Sequence, residues 1–167
     1  YFDNAATTYP KPPAVVNAVS FCMNEYGGNP GRGSHRLAML AAECVYDCRV
    51  KAADVFGCED PSNVVFTLNT TYALNSAIKS IARPGDHFLM GNFEHNSVRR
   101  PIERLAADGI IDYEVFDVRG RAETVVHRLE KLVRPATRAI VCAHVSNICN
   151  AKAPIREIGE FCRRRGI

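Results

Sequence analysis

With 167 residues, 47% of them hydrophobic and 23% charged, and a net charge of +3, the chain has the composition of one ordinary globular domain. No apolar run approaches the ~20 residues of a membrane-spanning helix. No basic stripe interleaved with aromatics marks a nucleic-acid surface, so neither membrane nor nucleic acid is an expected partner. Seven cysteines, odd in number and without a C-x-x-C pair, point to reduced thiols in a cytoplasmic protein rather than a disulfide framework, and supply no metal-ligand spacing.

The opening YFDNAATTYP reads as irregular and lacks the basic flank and apolar stretch of a secretory signal. Lys11-Pro12-Pro13 then leads into a helix through about Tyr26, closed by Gly27 and Gly28. The stretch GGNPGRGSHRLA has the G-x-x-x-x-G spacing of a phosphate loop, but Ser34 and His35 stand where that loop needs a lysine. A helix also precedes it where a strand is required. Its glycines are expected to break one helix and let Ser34 cap the next, leaving Asn29, Arg32 and His35 on a loop. That next helix keeps helical spacing at Leu37, Leu40, Ala41, Cys44, Val45, Cys48, Ala52, Val55 and Phe56 and ends at Gly57; Cys44 and Cys48 are expected on its buried face.

From there strands and helices alternate. Strands are expected at Asn63 to Leu68, His87 to Gly91, Asp112 to Phe116 and Ala139 to Ala143. Helices are expected from about Thr71 to Ala82, Ser97 to Ala107, Ala122 to Val133, and onward from Ile155. Ile167 reads as the entry to a further strand. Short apolar strands between helices argue for an α/β fold, a mainly parallel sheet with helices on both faces.

Ligands of such sheets bind outside the carboxyl ends of the strands. After the first expected strand come Asn69, Thr70 and Thr71 at a helix N-terminus, suited to an anion such as a phosphate. After the second come Glu94, His95, Asn96 and Ser97, and after the fourth His144, Ser146 and Asn147. The third yields only a turn, Asp117 to Gly120. Singly, Thr70 reads as an N-cap, His95 as a loop histidine and Asn147 as a turn former. Their joint placement at one sheet edge points instead to a small-molecule site gripping a phosphate.

The segments YFDNAATTYPKP, GNPGRGSHRLA, VVFTLNTTYALNSAIKS, PGDH, EHNSVRRPI and HVSNICNAKAPIREIG, in that order, resemble the N-terminal half of the class V aminotransferase superfamily, in its cysteine desulfurase-like branch. The resemblance implies a partial large domain of the aspartate aminotransferase-like fold. It sets residues 1–30 as an arm and first helix and residues 31–167 as an incomplete cofactor-binding domain, and it implies a homodimer. The implied cofactor is pyridoxal 5'-phosphate (PLP), its phosphate held by Thr70 and Thr71. His95 would stack on the ring and shuttle protons as the catalytic residue, and Asn147 would bond the phenolic oxygen. The implied substrate is L-cysteine, converted to alanine with an enzyme persulfide that a sulfur-acceptor protein relieves. Arg32 would meet a substrate carboxylate at the mouth of the site.

The chemistry also needs a Schiff-base lysine and an aspartate on the pyridine nitrogen. In the family these lie further along, the lysine in a Ser-x-His-Lys-like segment, and the persulfide cysteine later still. Lys11, Lys51, Lys79, Lys131 and Lys152 all fall outside such a segment, and the resemblance gives neither Cys142 nor Cys149 the sulfur-accepting role. Asn150 replaces the family glycine; asparagine tolerates the left-handed backbone best among non-glycine residues, so the loop is expected to survive. Alternative readings are another class V aminotransferase, lyase or epimerase, or a non-catalytic module of the same fold.

Overall fold

The computed structural model describes residues 1–4 and 6–167; Ala5, in the irregular opening, lies outside the described residues. The chain divides into two compact units, residues 1–66 and 67–167.

In the first unit, α1 (Pro13–Glu25) starts with proline at its first turn, where the missing N–H costs nothing. α2 (Arg36–Phe56) is capped by His35 rather than Ser34: the His35 Nδ1 accepts from the Ala38 amide, 3.4 Å away. The helix ends on Gly57 in the left-handed conformation (φ 66°). Gly28 is glycine for space. A Cβ there would lie 2.5 Å from backbone atoms of Leu37 and Ala38, inside the first turn of α2. The expected buried face of α2 is only partly realised. Of the expected positions Ala41 alone is buried, while Leu37, Cys44, Cys48, Val55 and Phe56 are exposed; Ala38 and Ala53, outside the expected set, are the other buried residues of the helix.

The strand expected at Asn63 to Leu68 does not form. Pro61–Asn63 is a single 3-10 turn started by Asp60, whose carboxylate accepts from Ser62 N. Residues 64–68 then lie outside any ladder, with Val65 73% and Leu68 87% exposed. A β-branched composition favours extended backbone, but a strand exists only through hydrogen bonds to a neighbour, and none of the three strands pairs with this segment.

The second unit is an α/β sandwich. α3 (Thr70–Ile81) leads into β1 (Asp86–Gly91), α4 (Asn96–Ala107), β2 (Ile111–Phe116), α5 (Ala122–Leu132), β3 (Thr137–Val141) and α6 (Ile155–Arg165). All strand pairs are parallel, in the order β2-β1-β3. Central β1 is buried on both sides, and its two-residue period sorts its side chains. Phe88 and Met90 join Ile78 of α3 and Val98 and Ile102 of α4. Leu89 joins Val125 and Leu129 of α5 and Ile158 and Phe161 of α6. Two helices therefore cover each face.

That winding positions the site. The chain passes from β1 out to β2 with α4 on one face, then returns past β1 to β3 with α5 on the other. The strand order reverses between β1 and β3, the switch point where such sheets leave a crevice at their carboxyl ends.

Candidate functional site

α3 opens the site. Asn69, not Thr70, is its N-cap, its Oδ1 accepting from the Tyr72 amide at 2.9 Å. Thr70 and Thr71 are thereby the first two helical residues, both exposed. Their N–H groups belong to the set that no helix satisfies internally. Asn75 Nδ2, one turn further on, donates to Ser97 O at 3.4 Å, joining the start of α3 to the first turn of α4.

His95 caps α4. Its Nδ1 accepts from the Ser97 amide at 3.1 Å and lies 2.8 Å from the Ser97 hydroxyl. An Nδ1 used as backbone acceptor leaves Nε2 as the N–H of a neutral ring. The ring is exposed, and its orientation is fixed by the same bonds that start the helix.

Asn147 sits at the tip of a short return. Val145 bridges Lys152 in antiparallel fashion, Ser146 N donates to Ala151 O at 3.0 Å, and Ala153 N donates to His144 O at 2.9 Å. Asn147 is exposed at the turn, and Ser146 Oγ accepts from Ile148 N at 3.1 Å. No described non-glycine residue has a positive φ. Asn150 therefore fills its position without the left-handed conformation expected of it.

The strand ends are bound to one another by two residues that sequence reasoning left without a role. Asn92, just past β1, donates from its backbone to Phe116 O (2.9 Å) and from Nδ2 to Asp117 Oδ1 (3.0 Å), and its Oδ1 accepts from Val118 N (3.2 Å). It thus fastens the end of β1 to the end of β2. The Arg119 guanidinium bonds Asp117 and, with the neighbouring amide, holds that carboxyl well below the usual carboxylate range. On the other side, Glu94 Oε1 accepts from Ala143 N at 2.5 Å, fastening the end of β1 to that of β3. Burial pushes the Glu94 carboxyl up, and the Ala143 amide partly offsets it. The one sequence signal for Glu94 is Gly91, a glycine closing the apolar run Phe88-Leu89-Met90.

Cys142 is half-buried beside Glu94; desolvation and that carboxylate push its thiol up to about 11. Cys149 is exposed. A concavity of about 200 Å³ opens between the loop after β1 and α4, bordered by Glu94, Arg99, Glu103 and Tyr113. Among the described residues no group of three or more His, Cys, Asp and Glu side chains could hold a metal ion, and no helix is long and apolar enough to cross a membrane.

Two helix N-termini, at α3 and α4, and the turn after β3 flank a parallel sheet of order β2-β1-β3, the arrangement of a doubly wound α/β domain. The chain belongs to the aminotransferase class-V family, whose model matches residues 1–167. It is 32% identical to cysteine desulfurase IscS of Proteus mirabilis over 175 aligned positions, covering all of this chain and 42% of that protein. It is also 32% identical to a probable cysteine desulfurase of Methanothermobacter thermautotrophicus, covering 99% of this chain and 41% of that one. The apo cysteine desulfurase of Thermococcus onnurineus NA1 superposes with a TM-score of 0.85 at 30% identity, over 99% of this chain and 42% of the other. The chain thus spans about two fifths of the length of the relatives it matches.

Proposed function

We propose that this chain is the N-terminal, cofactor-gripping portion of a PLP-dependent cysteine desulfurase that acts in a homodimer in the cytoplasm. What supports this reading is one observation: the start of α3, the His95 cap and the Asn147 turn all lie at the carboxyl edge of one parallel sheet. The names of the relatives then select the chemistry.

The residues present fit PLP. Thr70 and Thr71 offer two hydroxyls and free helical N–H groups to a phosphate, with the positive end of the helix dipole behind them. His95, its Nδ1 engaged by Ser97, offers a flat ring face for stacking and an Nε2 proton. Asn147 offers an amide donor to a phenolic oxygen. When bound, PLP supplies an electron sink for carbanion chemistry on an amino acid. The chain's own part is to fix the phosphate, orient the ring and hold a proton at His95 Nε2. Completion of the reaction on L-cysteine requires an anchoring lysine and a sulfur-accepting cysteine outside the motifs of this chain.

The test is phosphate-dependent binding. PLP should bind the chain at least ~10-fold more tightly than pyridoxal, since charge-assisted bonds to phosphate are worth ~1.5–3 kcal/mol each. Borohydride added to the complex should leave no stoichiometric reduced adduct at any single lysine. Equal affinities for the two compounds, or one fully modified lysine, would contradict the assignment.

A further inference from the structure

The loop after β1 is tied down on both sides, and the two ties differ in kind. Asn92 meets the β2 side with an amide. Glu94 meets the β3 side with a carboxylate in a half-buried position, where an amide or hydroxyl would be cheaper to desolvate. Ala143, its partner, stands two residues beyond the last β3 pair, Val141. Its N–H has left the ladder and needs an acceptor. Gly91 makes the arrangement possible: a Cβ at that position would lie 2.9 Å from Glu94 Oε1, 3.1 Å from Val118 Cγ1 and 3.4 Å from the Cys142 Cβ. The end of β1 is hollowed so that the carboxylate can fold back under its own strand and reach across the β1–β3 switch point.

We infer that Glu94 is a positioning residue: its carboxylate pins the loop carrying His95 to the loop carrying Asn147, and Gly91 supplies the space for the pin. Glu94 immediately precedes His95, and Ala143 lies four residues before Asn147. A single bond therefore sets the separation of two side chains on different loops. The pin itself rests on geometry alone; its consequence for the cofactor rests on the PLP reading given above. The titratable groups facing Glu94 are Cys142 on the β3 side and, around the concavity, Arg99 and Glu103 of α4 and Tyr113 of β2.

Amide hydrogen exchange and 15N-resolved NMR on the full chain, without cofactor, test the pin. Losing a charge-assisted acceptor should speed exchange at Ala143 at least ~10-fold in Glu94→Ala, with Ile140 inside β3 unchanged. Glu94→Gln, which keeps an acceptor, should restore most of the protection. In the wild type the Ala143 amide resonance should follow the Glu94 titration above the ordinary carboxylate range, and in Glu94→Gln it should not. Gly91→Ala should speed Ala143 exchange in the wild type and add little in the Glu94→Ala background, because the two changes break one contact. Equal Ala143 exchange in wild type and Glu94→Ala would overturn the inference, as would a Glu94→Gln variant no better protected than Glu94→Ala. With PLP added, Glu94→Ala should weaken the response of His95 and Asn147 while that of Thr70 and Thr71 persists; undiminished responses at His95 and Asn147 would overturn the positioning role. A wild-type chain with a protected Ala143 amide and no response to PLP anywhere would sink the cofactor reading and leave the pin standing.

Discussion

Cys142 and Cys149 flank the turn that presents Asn147, and their surroundings separate them sharply as nucleophiles. With its thiol pushed up to about 11, Cys142 is ~0.1% thiolate at pH 8, against ~25% for an unperturbed cysteine near 8.5. The more basic thiolate recovers roughly tenfold in intrinsic nucleophilicity toward a disulfide, for a Brønsted slope of about 0.45. A net lag of roughly 20-fold behind a free cysteine peptide remains, and half-burial of the side chain lengthens it. Timed exposure to an activated disulfide, acid quench and peptide mass spectrometry should find Cys149 modified early and Cys142 at least ~20-fold slower than the reference peptide. Glu94→Gln should accelerate Cys142 by removing the adjacent negative charge. Modification of Cys142 at the peptide's rate would refute the packing of the β1 and β3 ends described here. Slow modification assigns Cys142 to structure and removes it as a sulfur acceptor.

Three further outcomes follow from the fold. His87 is buried, its Nδ1 2.9 Å from Thr137 Oγ1; burial first, and then the nearby Arg134, lower its pKa below the ordinary 6.5. The unfolded chain therefore takes the proton more readily, so this part of stability is complete above about 6.5 and is lost as pH falls through the lowered value; urea midpoints should drop from pH 7.5 to 5, and less steeply in His87→Gln, an equal slope counting against the account. Leu89→Ala, at a fully buried position in the central strand, should cost about 2–5 kcal/mol by urea unfolding, whereas Val115→Ala, half exposed on β2, should cost under ~1 kcal/mol. Gly28→Ala should destabilise by about 1–3 kcal/mol through its clash with the α2 backbone, and a neutral result would contradict the close approach.

Much of the second unit was legible in the sequence. The strands at His87 and Asp112 and the four helices of that unit were placed to within a few residues, because the apolar periods of β1 and α4 are local properties. The failures share a physical cause. Residues 63–68 have strand composition but no neighbour to pair with, and pairing is not written in the segment itself. Ser34 and Thr70 have capping side chains, yet His35 and Asn69 took those places, since one residue of register depends on the turn before the helix. Cys44 and Cys48 keep helical spacing with apolar neighbours but are exposed, because a stripe is buried only where something covers it. At the candidate site, His95 and Asn147 were visible from their positions after strands. Glu94 was seen but given no part, because its partner is a backbone amide 49 positions away.

The central claim is that the α3 N-terminus, His95 and Asn147 form one cofactor edge. Titration of the 15N-labelled chain with PLP, followed residue by residue, tests it most directly. The account predicts saturable shifts at the Thr70 and Thr71 amides, with inorganic phosphate competing for them, and concurrent shifts at His95 and Asn147. Saturable binding that leaves Thr70 and Thr71 unmoved, or no binding by a chain whose amide spectrum is that of the folded unit, would contradict it.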